Sequence, residues 1–116
     1  MLPKKRRISR ASFPFIIKHG RRVNSPGLLL YVAIMEGNLK EKDTKISFSV
    51  SKKVCSKASD RNKLRRWGYS SVSTKLNNVK NGHYLFFCFK KTQNTLSFKQ
   101  VQKEIVELLS LSGVLI

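Results

Sequence analysis

The spacing of apolar residues along the chain predicts three helices and three strands. Helices are expected where apolar side chains recur every three or four positions, and strands where they run on or alternate with polar ones. The helical pattern covers residues 12–20, about 57–76 and 97–111, and the strand pattern covers 28–35, 45–51 and 83–90. With one short extra strand, the order along the chain becomes α-β-β-β-α-β-α.

Cap and turn residues separate these segments. Ser12 and Ser97 stand where helix N-caps are expected, and Gly20 stands where the first helix would end. The polar stretch from Gly37 to Asp43 predicts a hairpin loop. Gly68 weakens the middle helix, because glycine in a helix interior costs about 1 kcal/mol relative to alanine.

The pattern favours an α+β fold with one domain, residues 1–116, built as an α/β sandwich of a small mixed sheet packed on helices. Residues 1–10 are expected to form a basic, flexible arm. The longest apolar run has eight residues, too few to span a bilayer. Two cysteines, Cys55 and Cys88, are too few for a disulfide or zinc framework, so both are expected to be free thiols in a cytosolic protein.

Charge points to the class of partner. The chain carries 24 Lys and Arg against 6 Asp and Glu, a net charge of +18, and 41% of its residues are apolar. That apolar content is enough for a core, while the self-repulsion of so many positive charges favours a polyanionic partner. Nucleic acid is the first candidate. An anionic membrane surface is weaker, because the amphipathic helix 97–111 carries Glu104 and Glu107 as well as lysines on its polar side.

The positive charge is concentrated in two blocks. Residues 1–22 hold eight basic side chains and no acid, and residues 52–66 hold seven basic side chains with Asp60 as the single acid. Such clustering indicates a defined binding face. Lys52 and Lys53 end a strand, where phosphate contact is one interpretation and an exposed strand end is the other. Arg61 and Arg65, four residues apart, place guanidinium groups on one flank of the middle helix, where they can bind phosphates at two points.

The sequence offers no catalytic centre of its own. Its carboxylates are scattered, and none pairs with another in a spacing suited to a two-metal nuclease site. His19 and His83 have no cysteine or second histidine at metal-ligand spacing. Any catalysis in which this chain takes part is therefore expected to belong to its partner.

Five segments, in this order along the chain, resemble the protein subunit of bacterial ribonuclease P. They are the N-terminus Met1 to Lys5, the helix Phe13 to Gly20, the strand Phe48 to Val54, the helix motif Arg61-Asn62-Lys63, and Leu96 to Phe98 ahead of the last helix. Each match is weak alone, but their shared order over nearly the whole chain is specific.

This resemblance implies a function in tRNA maturation. Members of the family pair with a catalytic RNA that removes the 5′ leader from precursor tRNA, and the RNA carries out the metal-assisted hydrolysis. The expected partners are therefore that RNA and precursor tRNA, with one monomeric protein per RNA, no membrane, and a cytoplasmic location. Mg²⁺ is expected to be held mainly by the RNA, and none by the protein alone. The implied fold is like domain 2 of ribosomal protein S5, with a left-handed crossover.

The resemblance also assigns two sets of site residues. The helix motif and its neighbours would face the RNA subunit, together with the two strand-end lysines: Arg61, Asn62, Lys63, Arg65, Arg66, Lys52 and Lys53. A cleft between the first helix and the sheet would bind the leader, lined by Phe13, Ile17, Lys18, Tyr31, Ser47, Ser49 and Arg10.

Several positions depart from the family pattern. Lys63 stands where arginine is usual, which keeps the charge but loses the two-point geometry of the guanidinium. Trp67-Gly68-Tyr69 replaces a continued basic run, so the middle helix is expected to be shorter or less regular. Ile17 stands where the family often has a second aromatic residue in the cleft.

Two other classes of protein explain the charge. A small basic RNA-binding protein of ribosomal type, with no part in processing, is the main alternative, and a DNA-binding helix module is another. Neither requires the ordered placement of Phe13, the strand at Phe48 and the motif at Arg61.

Overall fold

The computed structural model describes residues 4–37, 42–93 and 95–116. Within them lie three α-helices and four strands in the predicted order α-β-β-β-α-β-α, which confirms the α+β class. The elements are α1 (Phe13–His19), β1 (Arg21–Asn24), β2 (Leu28–Ile34), β3 (Lys45–Ser49), α2 (Ala58–Ser73), β4 (His83–Phe89) and α3 (Phe98–Leu111). No helix in this part of the chain is long and apolar enough to cross a membrane.

The sheet has the strand order β1-β2-β4-β3. Strand β2 is antiparallel to both β1 and β4, whereas β3 is parallel to β4 and reaches it through α2. The prediction of a hairpin at 37–43 is therefore wrong, because β4 lies between β2 and β3; residues 38–41 of that loop lie outside the described residues. Strand β4 is apolar at almost every position, as suits a central strand, while β3 alternates as an edge strand does.

The larger core lies between α2, α3 and one face of the sheet. Alternate residues of the two central strands point into it and are buried: Leu28, Leu30, Val32, Leu85, Phe87 and Phe89. Val72 of α2 and Ile105 of α3 are fully buried against them. The period of two along each strand thus assigns the intervening residues to the opposite face.

Helix α1 covers part of that opposite face. Ile16 is fully buried there with Ala33 and Ile8, and aromatic side chains surround this second cluster. Ile8 belongs to the N-terminal arm, whose described part lies against the sheet. Its backbone N–H donates to Ser47 Oγ at 3.1 Å, and Arg6 Nη1 donates to the carbonyl of Thr44 at 3.1 Å.

The predicted caps differ in their chemistry. Ser97 caps α3 as predicted, since its hydroxyl accepts from the backbone N–H of Gln100 at 3.2 Å. Ser12 occupies the cap position of α1, but its hydroxyl lies 3.0 Å from the Ser9 hydroxyl and caps nothing. Helix α2 continues without interruption through Gly68 and ends at Ser73, so the expectation of an irregular helix is wrong.

Glu104 is a further correction. The amphipathic pattern places it on the polar side of α3, yet it is only 4% exposed. Its Oε1 accepts from the backbone N–H of Gly27 at 2.7 Å and from the Ser25 hydroxyl, so it holds the turn between β1 and β2. A buried carboxylate that accepts hydrogen bonds from fixed donors helps to hold the fold together. The periodicity of the sequence carries no information about where those donors lie.

Candidate nucleic-acid interface

Aromatic side chains cluster between α1 and the face of the sheet opposite α2 and α3, and we call the surface that they form the aromatic groove. The Phe13 ring meets the edge of Phe86 with centroids 4.8 Å apart, and Phe86 stacks on Tyr31 at 5.9 Å with 21° between the rings. These three rings are partly buried and belong to three different elements, α1, β4 and β2. They form a surface on which flat groups can stack.

A second row of side chains continues the groove floor beyond these rings. Leu29, Cys88 and Ser49 are register partners on neighbouring strands, and each is only partly buried. Burial raises the pKa of the Cys88 thiol to about 11. The floor is therefore uncharged at neutral pH, which suits bases rather than phosphates.

Positive side chains lie around the groove. Arg10 is exposed in the turn that precedes α1, Lys18 is exposed in the last turn of α1, and Arg22 is exposed on β1 opposite Tyr31. Ile17 is 55% exposed on α1. Cations around an apolar floor are the arrangement expected for a single-stranded nucleic acid, whose bases stack while its phosphates face outward.

Ser47 differs from the other residues assigned to the cleft. Its side chain is 8% exposed, and its hydroxyl is taken up by the backbone of Ile8. The structure thus places Ser47 under the N-terminal arm and Ser49 on the open floor. The sequence-based assignment missed four residues of this surface: Phe86, Leu29, Cys88 and Arg22. The period of two in β4 and β2 could have identified them, but only once the register between the strands is known.

The motif residues of α2 lie on the other side of the sheet. Arg61 is half-buried, and its Nη1 donates to the carbonyls of Cys55 at 2.9 Å and Ser56 at 2.8 Å. Arg65, also half-buried, donates to Asn62 Oδ1. The two arginines predicted to bind phosphates from one flank of the helix therefore donate hydrogen bonds within the protein itself. Arg61 fixes the connection between β3 and α2, and Arg65 orients Asn62.

The cations that face solvent are different ones. Lys52, Lys53, Lys63 and Arg66 are exposed, as is Asn62. The ammonium of Lys63 lies 5.0 Å from the centre of the Trp67 ring. Together these residues form a basic surface along α2 and the end of β3, separated from the aromatic groove by the thickness of the sheet. The two surfaces therefore face in different directions.

Titratable side chains show no metal-binding cluster across residues 4–37, 42–93 and 95–116. His19 and His83, which are far apart in sequence, line the same cavity of about 270 Å³ beside Phe15 and Arg21. The two surfaces described above are thus built from basic and aromatic side chains.

Known proteins share the fold of this chain. A family model described as Ribonuclease P matches residues 2–111. The chain is 31% identical over 125 residues to the ribonuclease P protein component of Prochlorococcus marinus (strain NATL1A), with 98% of each chain covered. Its fold is similar to that of the Staphylococcus aureus RNase P protein, with a TM-score of 0.83, 21% identity, and coverage of 96% of this chain and 98% of that one. The RNase P protein from Thermotoga maritima gives a TM-score of 0.77 at 20% identity, covering 90% and 96%. The chain therefore belongs to the ribonuclease P protein family.

Proposed function

We propose that this chain is the RNA-binding protein subunit of ribonuclease P and assists endonucleolytic removal of the 5′ leader from precursor tRNA. The observation that carries the proposal is the separation of two surfaces, an aromatic groove on one face of the sheet and a basic helix on the other. A protein that joins a catalytic RNA to its substrate needs both. Family membership over nearly the whole chain supports the same function.

The aromatic groove would bind the leader. A single-stranded leader can splay its bases, which stack on the rings of Phe13, Tyr31 and Phe86, while Arg10 and Lys18 contact its phosphates. Stacking depends little on sequence, because every base has a flat face. The groove would therefore accept many leaders.

The basic surface of α2 would bind the catalytic RNA. Lys52, Lys53 and Arg66 would contact phosphates, and Asn62, oriented by Arg65, could bond a sugar or base edge. With a net charge of +18, the protein would also reduce the repulsion between two polyanions brought side by side. Mg²⁺ would be held mainly by the RNA, and the RNA would carry out the hydrolysis. Each RNA would bind one protein, and the complex would act in the cytoplasm.

The test is reconstitution with the cognate catalytic RNA at low magnesium. Leader cleavage is expected to be faster with the protein than with the RNA alone, and no gain would contradict the proposal. Precursor tRNA and mature tRNA should be compared as ligands of the reconstituted complex. A basic RNA-binding protein of ribosomal type would bind the RNA without favouring the precursor.

A further inference from the structure

A cavity of about 380 Å³ lies beside the basic surface of α2. One wall is the face of α2 that carries Asp60, Lys63 and Trp67, at the spacings of three and four residues that share a helix face. The other walls are the connection from β3 to α2, at Cys55 and Ser56, and the connection from β4 to α3. Its volume is near the lower end of the range for small-ligand sites.

Trp67 supplies the flat surface in this cavity. The indole is partly buried, and its ring lies 5.8 Å from that of Phe98 at an angle of 51°. Phe98 is 39% exposed at the start of α3. The pair therefore forms a second aromatic surface, on the side of the sheet opposite the groove formed by Phe13, Tyr31 and Phe86.

Lys63 holds the place over the indole that a ligand would take. Its ammonium lies 5.0 Å from the centre of the Trp67 ring, and the side chain is otherwise exposed. A lysine over a ring at an exposed site is held more weakly than a nucleobase stacked on the same ring. A base can thus displace the ammonium, and the long side chain then reaches the phosphate of that nucleotide.

The remaining lining combines the apolar side chains of Val54, Leu64 and Leu96 with polar groups, several of which are firmly held. Lys90 is fixed by donating to the carbonyl of Ser25 at 2.9 Å. Arg61 holds the carbonyls of Cys55 and Ser56, so the opposite wall is also in place before any ligand arrives. Asp60 is the only acid among the described lining residues; a carboxylate there accepts from a base amino group or a 2′-hydroxyl.

We propose that this cavity binds one unpaired nucleotide of the catalytic RNA, with its base stacked on Trp67, its phosphate at Lys63 and a donor group at Asp60. An isolated phosphate would not stack on the indole and would be repelled by Asp60. An apolar partner would offer no negative charge to the ammonium groups of Lys63 and Lys90. The inference rests on the proposed function, since the nucleotide comes from the RNA subunit. Trp67, a departure from the family pattern, thereby becomes a specific contact between this protein and its RNA.

Fluorescence tests the inference on the unaltered protein, because Trp67 is the only tryptophan in the chain. Titration with the catalytic RNA is expected to quench Trp67 emission in step with binding measured by filter retention. Addition of precursor tRNA to the assembled complex should change the emission no further. Polyphosphate, which has no bases, should bind the chain without quenching. RNA binding with unchanged emission would overturn the inference and leave the proposed function intact, whereas no RNA binding would contradict the proposed function itself.

Two substitutions separate stacking from packing against Phe98. Trp67→Tyr keeps an aromatic ring and is expected to bind the RNA nearly as well as the parent. Trp67→Leu keeps an apolar side chain and is expected to bind roughly tenfold more weakly or worse. Thermal unfolding of both variants shows whether each folds. If both variants fold and bind the RNA equally well, Trp67 does not stack on a base. If either variant fails to fold, the fluorescence titration of the unaltered protein decides.

Discussion

Gly68 of α2 lies directly against the ring of Phe48 in β3. A Cβ atom at Gly68 would come within 2.5 Å of that ring, closer than any side chain tolerates. Phe48 in turn stacks on Phe87 at 4.7 Å and meets Tyr69 edge-on at 4.9 Å, so it has little room to move. The glycine that weakens the helical pattern is what allows helix and sheet to touch.

Gly68→Ala is therefore expected to destabilise the protein although alanine favours helix. The gain in helix propensity is about 1 kcal/mol, while forcing a methyl group into a packed core costs about 1–3 kcal/mol. Urea unfolding should show a net loss, and Ser70→Ala, an exposed change in the same helix, should not. Phe48→Leu should relieve the clash, so the double variant should lose less than the two single losses added together. Strictly additive losses would contradict direct contact.

The same pair of residues shows how far the sequence alone can go. Periodicity predicted α2 and β3 and placed Phe48 on a strand and Gly68 in a helix. The expectation that the helix would be irregular was wrong, because glycine propensity is a local quantity and the contact with Phe48 is not. The supposed hairpin at 37–43 failed for a similar reason: strand order depends on the partner strand β4, which is 40 residues further along the chain.

Some residues of the candidate site could likewise be predicted from the sequence, whereas others depend on contacts between distant parts of the chain. Phe13 and Tyr31 could be assigned from motif position, yet their neighbour Phe86 could not, because its place beside them depends on the register of β2 and β4. Arg61 was predicted from charge and spacing. Its side chain donates to two carbonyls of its own chain, because the connection before α2 passes close to it. A pattern of charges does not specify the path of that connection.

Glu104 is expected to matter for stability far more than Glu107, its neighbour on α3. Removing the Glu104 carboxylate leaves the backbone N–H of Gly27 without its acceptor, and leaves the Ser25 hydroxyl with the carbonyl of Leu28 at 3.3 Å. Glu104→Ala should lower the free energy of unfolding by about 1–3 kcal/mol. Glu107 is exposed, and Glu107→Ala should change it by less than about 0.5 kcal/mol. Equal effects in urea unfolding would show that the turn between β1 and β2 is held by other contacts.

Arg61 and Arg66 are expected to affect RNA binding in different ways. Arg66 is exposed, so Arg66→Ala should remove one phosphate contact, lower the slope of log affinity against log salt by about one, and leave thermal stability unchanged. Arg61→Ala should also weaken assembly, but through loss of its two carbonyl contacts, and should lower the unfolding temperature. Salt titrations of RNA binding and thermal unfolding of both variants separate the two. An Arg61 variant as stable as the parent would mean that its hydrogen bonds do not organise the loop.

Phe13 and Phe15 form a matched pair on α1. Phe13 meets Phe86 in the groove, whereas Phe15 packs near Tyr84 and His19 on the other flank of the helix. Phe13→Ala is expected to weaken precursor tRNA binding by the reconstituted complex roughly tenfold, since stacking on one base is worth about 1–3 kcal/mol, and to leave mature tRNA binding unchanged. Phe15→Ala should affect both ligands little. A Phe13 variant that is stably folded yet binds precursor and mature tRNA as the parent does would exclude Phe13 from the leader path.

Cys88 allows occupancy of the groove to be followed without mutation. Burial raises the pKa of its thiol from 9.0 to about 11, so the reactive thiolate is scarce at pH 8 in the folded protein. A difference of two pKa units makes the thiolate roughly a hundredfold rarer than in the unfolded chain, so iodoacetamide should label native Cys88 about that much more slowly. Labelling of Cys88 should accelerate as the pH rises toward 11. At a fixed pH, bound precursor tRNA should slow the labelling of Cys88 but not that of Cys55, which lies outside the groove. Mass spectrometry of the two peptides measures all of these rates, and a Cys88 whose labelling ignores precursor tRNA would place the leader elsewhere on the protein.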